Sequence, residues 1–545
     1  MSKDSACLRL KAALIWMKSN LLIRRKPLES LIADENLHRH FTTIDIFLFG
    51  IAAIVGAGIF VLTGQAAVVA GPGISISFVM AALVCALVGL AYAEMASMIP
   101  ISGSAYSYTY ATMGEFIAFI IAWDLILEYA LGASAVAVGW SEYLGHILEA
   151  LSMPIPRSLT IAPTDGNVPW HLIAMAVFAF GCGFFLYEKV KSLFVNFDKL
   201  NLEEKLPAIA AAIMVSSFVL TGCYASYSAA RELESINLPA AAILISISWG
   251  LTRGVKETAK YTAIMVAIKL AVIALVLSVG GYHIAVESVG DHWTPFLPHG
   301  WSGVVTGASI VFFAYIGFDA VPTMAEECID PQKDLPRGML GSLAVCTILY
   351  VLMSLVMTGT VAYSELGSAA PIATVLGAIG QTWAVMLASI GALAGLTSVL
   401  IVLLYGQSRI TMKLSQDGLI TPYLSVIDER YKTPFRAIAV IGLFVALPAA
   451  LLPIAELAEL VSIGTLAAFV LVCGGVIILR YYEPDRERHF RCPGAPVTPA
   501  LGLIGCLYLM FHLPLVTWLR FIIWMVVAIV IYFGYGKHNS KLNVF

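Results

Sequence analysis

The sequence predicts an all-α integral membrane protein built on two inverted repeats of five helices, and three observations carry that expectation. The chain is apolar on average, its apolar runs recur at membrane-spanning length, and two runs five spans apart are interrupted by glycine. Of 545 residues 59% are hydrophobic and 12% charged, and the mean hydropathy of +0.87 lies far beyond that of a soluble globular domain. A span of about 20 apolar residues crosses about 30 Å of hydrocarbon, and such runs fill the chain, so no separate soluble domain is expected. The net charge of -3 is uninformative. No basic stripe interleaved with aromatics suggests nucleic acid.

Residues 1–43 read as a cytoplasmic basic segment. From Ala6 to Ile23, Arg9, Lys11 and Lys18 lie among apolar residues and Arg24, Arg25 and Lys26 follow. This is the pattern of a basic interfacial helix, with an import signal as the competing reading. The polytopic region is predicted over 44–535 and a cytoplasmic tail over 536–545. Spans fall near 44–70, 74–99, 116–140, 171–187, 207–228, 237–252, 261–279, 302–325, 339–362, 372–408, 437–452, 456–479, 497–514 and 519–535. With both termini in the cytoplasm, 28 of the 32 Lys and Arg fall on the cytoplasmic side, three (Arg157, Arg231, Arg520) outside and one within the membrane. The positive-inside rule supports this threading and a cell-membrane location.

The region 150–236 reads as an inserted two-helix hairpin. The alternative, an external globular insert, would move Lys189, Lys191, Lys199 and Lys205 outside and reduce the bias to 24 against seven. Setting the hairpin aside leaves twelve core spans. The first carries "VGAGIF" and the sixth "AYIGFDAVP", Ala314 to Pro322. An odd separation of five makes the second set enter from the opposite side, the inverted-repeat logic of secondary transporters.

Glycine costs about 1 kcal/mol relative to alanine inside a helix, and Gly56 and Gly58 flank only Ala57. An opened turn there frees the amides of Ala57, Gly58 and Ile59 to hold a carboxylate, and the carbonyls before it, at Ile54 and neighbours, to take an ammonium group. Close helix packing on small residues is the other reading of the same motif. In the sixth span Gly317 and Pro322 flank Asp319, with carbonyls and an aromatic wall at Phe313, Ala314 and Ile316. Intramembrane Asp costs roughly 2.5 to 3.5 kcal/mol, which makes a midplane acid a functional candidate. Lys269 lies about eight residues from either end of its span and cannot snorkel. It is read as a proton carrier, with a fixed ion pair as the alternative.

Asp124 and Glu128 lie one turn apart on the third span and are expected to look inward together. Glu128 can receive a cationic substrate side chain, or can itself be protonated or paired with Lys269. Glu94, nearer the cytoplasmic end of its span, reads as a gate or a surface acid. Thr397 and Ser398 are hydroxyl partners available to Lys269, unless they bond their own helix carbonyls. The nine cysteines form no C-x-x-C pair and the ten histidines no H-E-x-x-H pair, so no disulfide framework, metal site or cofactor is expected. Neither a nucleophile with its base nor paired His ligands point to an enzyme.

Read together, "AAIVGAGIFVLTGQAA", "YAEMASMIPISGSAYSYTYATMGEFIAFIIAWDLILEYALGASAVAVGW", "KETAKYTAIMVAIKL" and "FFAYIGFDAVPTMAEECIDPQKDLPRGM" resemble the cationic amino acid transporter family of the amino acid/polyamine/organocation superfamily. The likeness runs from about Lys26 to Arg480 outside the hairpin. It implies a leucine-transporter-like fold of twelve core helices with 5+5 inverted repeats. The substrate carboxylate would sit on the amides around Ala57 and Gly58, and the amino group on carbonyls of Ile54, Phe313 and Ile316. Lys269 matches the lysine that, in proton-coupled relatives, replaces a bound sodium ion. The sequence departs from the family at the hairpin, at Pro322 and in "RITMKLSQDG". Residues 141–170 hold no cysteine, so no disulfide-linked accessory subunit is expected.

These features lead to an expected secondary active permease of cationic L-amino acids, coupled to protons and embedded in the lipid bilayer. A proton-coupled permease for small neutral amino acids, an exchanger and a non-transporting amino acid sensor are the alternatives. The short C-terminal "GKHNSKLNVF" argues against the sensor.

Overall fold

The computed structural model describes residues 41–99, 104–162, 235–253, 259–287, 290–319, 321–322, 328–428, 430–431, 433–485 and 487–544. The interfacial helix expected over Ala6–Ile23 and the hairpin spans 171–187 and 207–228 lie outside them. The described residues are helical, and their one β-type feature is an isolated bridge between Phe41 and Cys328. Among them, seven helical stretches are long and apolar enough to cross a membrane, with four shorter apolar helices beside them.

The helices, in chain order, are α1 Thr43–Ile54, α2 Thr63–Ala70, α3 Ile74–Met98, α4 Ser104–Thr112, α5 Glu115–Ala150, α6 Leu238–Thr252, α7 Ala259–Glu287, α8 Gly300–Val311, α9 Pro331–Thr360, α10 Pro371–Ala378, α11 Thr382–Gln416, α12 Phe435–Leu451, α13 Ile454–Tyr482, α14 Val497–Phe511 and α15 Leu515–Ile531. A capping box starts α1: the Thr42 hydroxyl accepts from Asp45 N, and Thr42 N donates to the Asp45 carboxylate at 2.9 Å. This reciprocal pair satisfies two of the donors that a helix start leaves open. The 36 residues of α5 reach about 54 Å at 1.5 Å per residue, well past the hydrocarbon. Hydropathy marked only its membrane-embedded part. The segment Ser104–Thr112 is too polar to predict a span, yet α4 forms there and packs on α5 and α13.

The single run predicted at 372–408 is two helices, α10 and α11, separated at 379–381. Gly380 stands there at φ +74°, a conformation that ends a helix whatever the hydropathy. The expected tail at 536–545 is not a loose end. Tyr532 and Ser540 donate to the buried Glu115 carboxylate at 3.1 and 2.6 Å, and the Lys541 amide donates to Asp417 O at 3.1 Å.

One unit comprises 1–155, 239–450 and 454–545. Within it α5 packs chiefly on α11 and α13, α9 on α1 and α3, and α7 on α11. The other unit comprises 156–238 with 451–453. Its described part is a 3-10 turn at Arg157–Leu159 and a bond from Ile236 N to Ser158 O at 2.8 Å.

Both interrupted spans are broken where glycine predicts. The first stops at Ile54, turns through Val55 (ψ 89°) and resumes in a π-helical turn, Gly58–Leu62, that leads into α2. The sixth core span passes from α8 into a 3-10 turn, Phe312–Tyr315, then bends at Ile316 (ψ 137°) and Gly317 (φ +113°). The two breaks lie against each other: a Cβ on Gly58 would meet Ala314 Cα at 2.3 Å, and one on Gly317 would meet Ala53 C and O at 2.8 Å.

Glu94 is fully buried, which corrects its reading as a surface acid. Arg480 Nε and Nη2 donate to its two oxygens at 2.9 and 2.5 Å, Arg488 Nε lies 3.3 Å away, and the Cys492 amide donates at 2.7 Å. Two guanidinium groups supply the compensation that a buried carboxylate requires.

Burial separates the expected costs of breaking ion pairs. Glu94→Ala strands both arginines, at a cost of about 3–5 kcal/mol. Lys333→Ala breaks an exposed pair and should move stability by less than about 0.5 kcal/mol. Equal effects of the two substitutions on thermal unfolding in detergent would contradict the burial. Gly58→Ala forces backbone apart and should cost about 1–3 kcal/mol in the same assay. Unfolding indistinguishable from wild type would rule out the contact with Ala314.

Candidate functional site

The touching breaks open on a cavity lined by Ala53, Ile54, Gly56, Ala57 and Gly58 from the first span and Phe313, Ile316, Gly317 and Asp319 from the sixth. Helix α5 contributes Glu128, Tyr129, Gly132 and Val136, and α11 contributes Val399, Val402 and Leu403. Eight of the substrate residues expected from the sequence therefore share one cavity: Ile54, Gly56, Ala57, Gly58, Glu128, Phe313, Ile316 and Asp319. Ile59 and Ala314 are buried just behind that surface, at 0% and 1% exposure.

Local geometry leaves the first break with backbone donors that its own helix does not use. The first bond of the resumed half-helix runs from Phe60 N to Gly56 O at 3.2 Å. A helix leaves its first-turn amides without an internal acceptor, and here these are Ala57, Gly58 and Ile59. They carry the positive end of the half-helix dipole, enough to hold a carboxylate without a charged side chain.

The carbonyls are more occupied than the sequence suggests. Tyr350 of α9, which sequence reasoning missed, places its hydroxyl 2.6 Å from Ile54 O and 2.9 Å from Ala314 O. Phe313 O accepts from Ile316 N at 3.1 Å. Of the oxygens expected to stand free for an ammonium group, these three already lie within reach of a donor. Tyr350 sits in an otherwise apolar run and carries no sequence signal beyond being a mid-span tyrosine.

The acids differ in what they are free to do. Asp319 Oδ1 accepts from Gly317 N at 2.9 Å, so this carboxylate shapes its own turn. Asp124, expected to look inward with Glu128, is buried as that reading requires, at 3% exposure, but lies beside Gly464 of α13 and does not line the cavity. Glu128 is 1% exposed and its carboxylate lies beside the Thr465 hydroxyl, with no hydrogen bond to Lys269. It is the cavity acid left available to a ligand.

Lys269 is fully buried and donates to Ala52 O at 2.8 Å, its stem lying over Gly395 of α11. It thus holds a backbone carbonyl two residues before Ile54. Thr397 and Ser398, expected as its hydroxyl partners, donate to their own helix, to Leu393 O at 2.7 Å and Gly395 O at 2.8 Å. A membrane hydroxyl spends its proton most cheaply on the carbonyl one turn back. Thr397 also accepts from Trp140 Nε1 at 3.1 Å. The neighbours that do reach the cavity, Val399, Val402 and Leu403, are apolar and gave no chemical signal. Gly132 and Val136 were legible as the i+4 and i+8 positions of the helical stripe that begins at Glu128. Among the described residues no cluster of His, Cys, Asp and Glu can hold a metal ion.

The amino acid permease family model matches residues 41–198 and 199–540. The chain is 42% identical over 527 residues to a branched-chain amino acid permease of Bacillus subtilis (strain 168), covering 96% of this chain and 99% of that one. It is 39% identical over 526 residues to a methylthioribose transporter of the same organism, at the same coverage. A vacuolar cationic amino acid transporter of Arabidopsis thaliana is 32% identical over 475 residues, 86% of this chain and 68% of its own length. With its multiple apolar helices and a broken-helix cavity, the chain belongs to the amino acid permease family of the amino acid/polyamine/organocation superfamily, a family of membrane transporters rather than enzymes.

Proposed function

We propose that this protein is a secondary active permease of the cell membrane that carries neutral L-amino acids with apolar side chains, coupled to a proton through Lys269. The observation that carries the side-chain class is the wall facing the two breaks: Val136, Val399, Val402 and Leu403. Such a wall gains from burying a branched aliphatic group and penalises a desolvated ammonium or guanidinium. The 42% identity to a branched-chain amino acid permease supports the same class. The substrate carboxylate sits on the first-turn amides of Ala57, Gly58 and Ile59, and its amino group faces the carbonyl side of the breaks. The adjacency of the two interrupted spans supports a 5+5 inverted-repeat fold around the site, with both termini in the cytoplasm.

Coupling is assigned to Lys269 because it binds the carbonyl of Ala52, immediately before the first break. A buried lysine changes charge at a modest energetic cost. Gaining or losing that charge alters how firmly the half-helix end is held, which links protonation to the shape of the site. Thr397 and Ser398 line the same stretch of α11 without bonding the lysine. Exchange of one amino acid for another is available to the same site when the proton step is absent.

A second reading is favoured by Glu128. A buried cavity carboxylate with no cation beside it suits a cationic side chain, the preference that the sequence suggests, and a vacuolar cationic relative is 32% identical. Competition uptake in proteoliposomes separates the two. With labelled leucine, isoleucine and valine should compete at similar concentrations, while arginine and lysine should be weaker by at least about tenfold, 1.4 kcal/mol. Methylthioribose belongs in the same panel, given the related transporter. Arginine competing as well as leucine, and losing that ability in Glu128→Gln, would establish the cationic reading instead.

Lys269→Ala should abolish accumulation driven by an inwardly directed proton gradient while leaving exchange of labelled for unlabelled substrate measurable. Full gradient-driven accumulation in that variant would move the coupling site elsewhere.

A further inference from the structure

We propose that Tyr143 is a positioning residue of the substrate site, whose hydroxyl fixes the half-helix that presents the Ala57, Gly58 and Ile59 amides to a substrate carboxylate. The inference rests on the reading of this cavity as an amino acid site, and it is independent of which side chain is carried.

Amides hold an anion tightly only when they already point where its oxygens will lie, because freedom lost on binding is subtracted from the affinity. A half-helix that starts inside the membrane has no continuous helix behind it to set that direction. Its internal bonds do not set it either: the Thr63 hydroxyl donates to Gly58 O at 2.9 Å, within the same segment. Direction has to come from a neighbouring element, and α5 supplies it. The Tyr143 hydroxyl donates to Phe60 O at 2.6 Å, and Phe60 directly follows the three amides. One turn earlier on α5, Gly139 admits Val61 so closely that a Cβ would meet its Cγ2 at 2.3 Å.

These contacts continue the cavity wall. Glu128, Gly132 and Val136 line the cavity, and Gly139 and Tyr143 follow them on the same face of the 3.6-residue repeat. One face of α5 therefore lines the site and then grips the half-helix. Tyr143, Phe60 and Val61 are all 0% exposed, so water does not stand in for the bond. The same hydroxyl oxygen lies beside the Ile372 amide, in the first turn of α10, and α10 packs on the turn Gly58–Leu62. A hydroxyl donates once and accepts through its lone pairs, so this one serves a carbonyl of the half-helix and an amide of α10 together. Tyr143 thus joins three elements at one atom.

Tyr143→Phe keeps the ring and removes the hydroxyl. Tyr532→Phe is the control, because Tyr532 is 1% exposed and its hydroxyl bonds Glu115 at 3.1 Å, away from the cavity. Two measurements on purified full-length protein test the proposal. In the first, binding of labelled leucine, or of arginine where wild type takes arginine, is competed with the carboxyl amide of the same amino acid, which keeps the ammonium and the side chain but lacks the carboxylate. We expect Tyr143→Phe to weaken amino acid binding about tenfold, the scale of one lost buried hydrogen bond, and the preference for the acid over its amide to shrink by the same factor. In the second, hydrogen exchange of the amides of residues 57–62 without ligand should quicken about tenfold in Tyr143→Phe, since local opening is what exchange reports. Tyr532→Phe should stay within about twofold in both. Gly139→Ala displaces the same half-helix without touching the hydroxyl, and should shift binding and preference in the same direction. Unchanged binding in Tyr143→Phe, weaker binding with an unchanged preference for the acid over its amide, unchanged exchange at residues 57–62, or an equal effect of Tyr532→Phe overturns the proposal. Wild-type protein that binds no amino acid, or does not distinguish the acid from its amide, overturns the reading of the site itself.

Discussion

The structure depends on two interrupted helices meeting backbone to backbone inside a membrane. Gly58 admits the Ala314 backbone where any Cβ would collide, and Gly317 turns the chain at φ +113° against Ala53. Close packing, one of the two readings of "VGAGIF", therefore holds at the same residues that line the cavity. Bringing two breaks into contact removes water from both and gathers their unspent amides and carbonyls into one place. Those groups are costly in hydrocarbon unless something answers them. The amides of Ala57, Gly58 and Ile59 remain for an anion, whereas Tyr350 and Lys269 take up the carbonyl side.

Buried charge is allocated in the same spirit. Glu94 is surrounded by Arg480, Arg488 and the Cys492 amide, and it serves to tie the segment after α13 to the end of α3. Asp319 is absorbed by its own turn. Lys269 engages a main-chain oxygen. Glu128 faces the cavity with no cation beside it. A buried acid with no cation beside it is one that a ligand can recruit, because binding then relieves a desolvation cost already incurred on folding.

In the function we propose, apolar residues decide selectivity as much as polar ones do. The backbone features of an amino acid are read by amides and carbonyls that belong to the two breaks, and every amino acid presents them alike. In that proposed function, Val136, Val399, Val402 and Leu403, which line the cavity, distinguish one substrate from another by shape and by the cost of desolvating a charge.

Sequence by itself determined the membrane setting, the positions of most spans and both helix breaks, because hydropathy and glycine content act locally and need no partner to be read. It also named Ile54, Gly56, Ala57, Gly58, Glu128, Phe313, Ile316 and Asp319, which line one cavity, since a broken helix or a buried acid is costly in lipid. Tertiary structure alone decided the rest. Tyr350, Val399, Val402 and Leu403 joined the cavity by packing, and nothing in an apolar run marks which face meets a ligand. Thr397 and Ser398, by contrast, bond their own helix, the alternative already legible in the sequence because a carbonyl one turn away is always in reach. Asp124 and Glu128, alike in sequence, parted because a single helical turn placed one beside Gly464 and the other at the cavity wall.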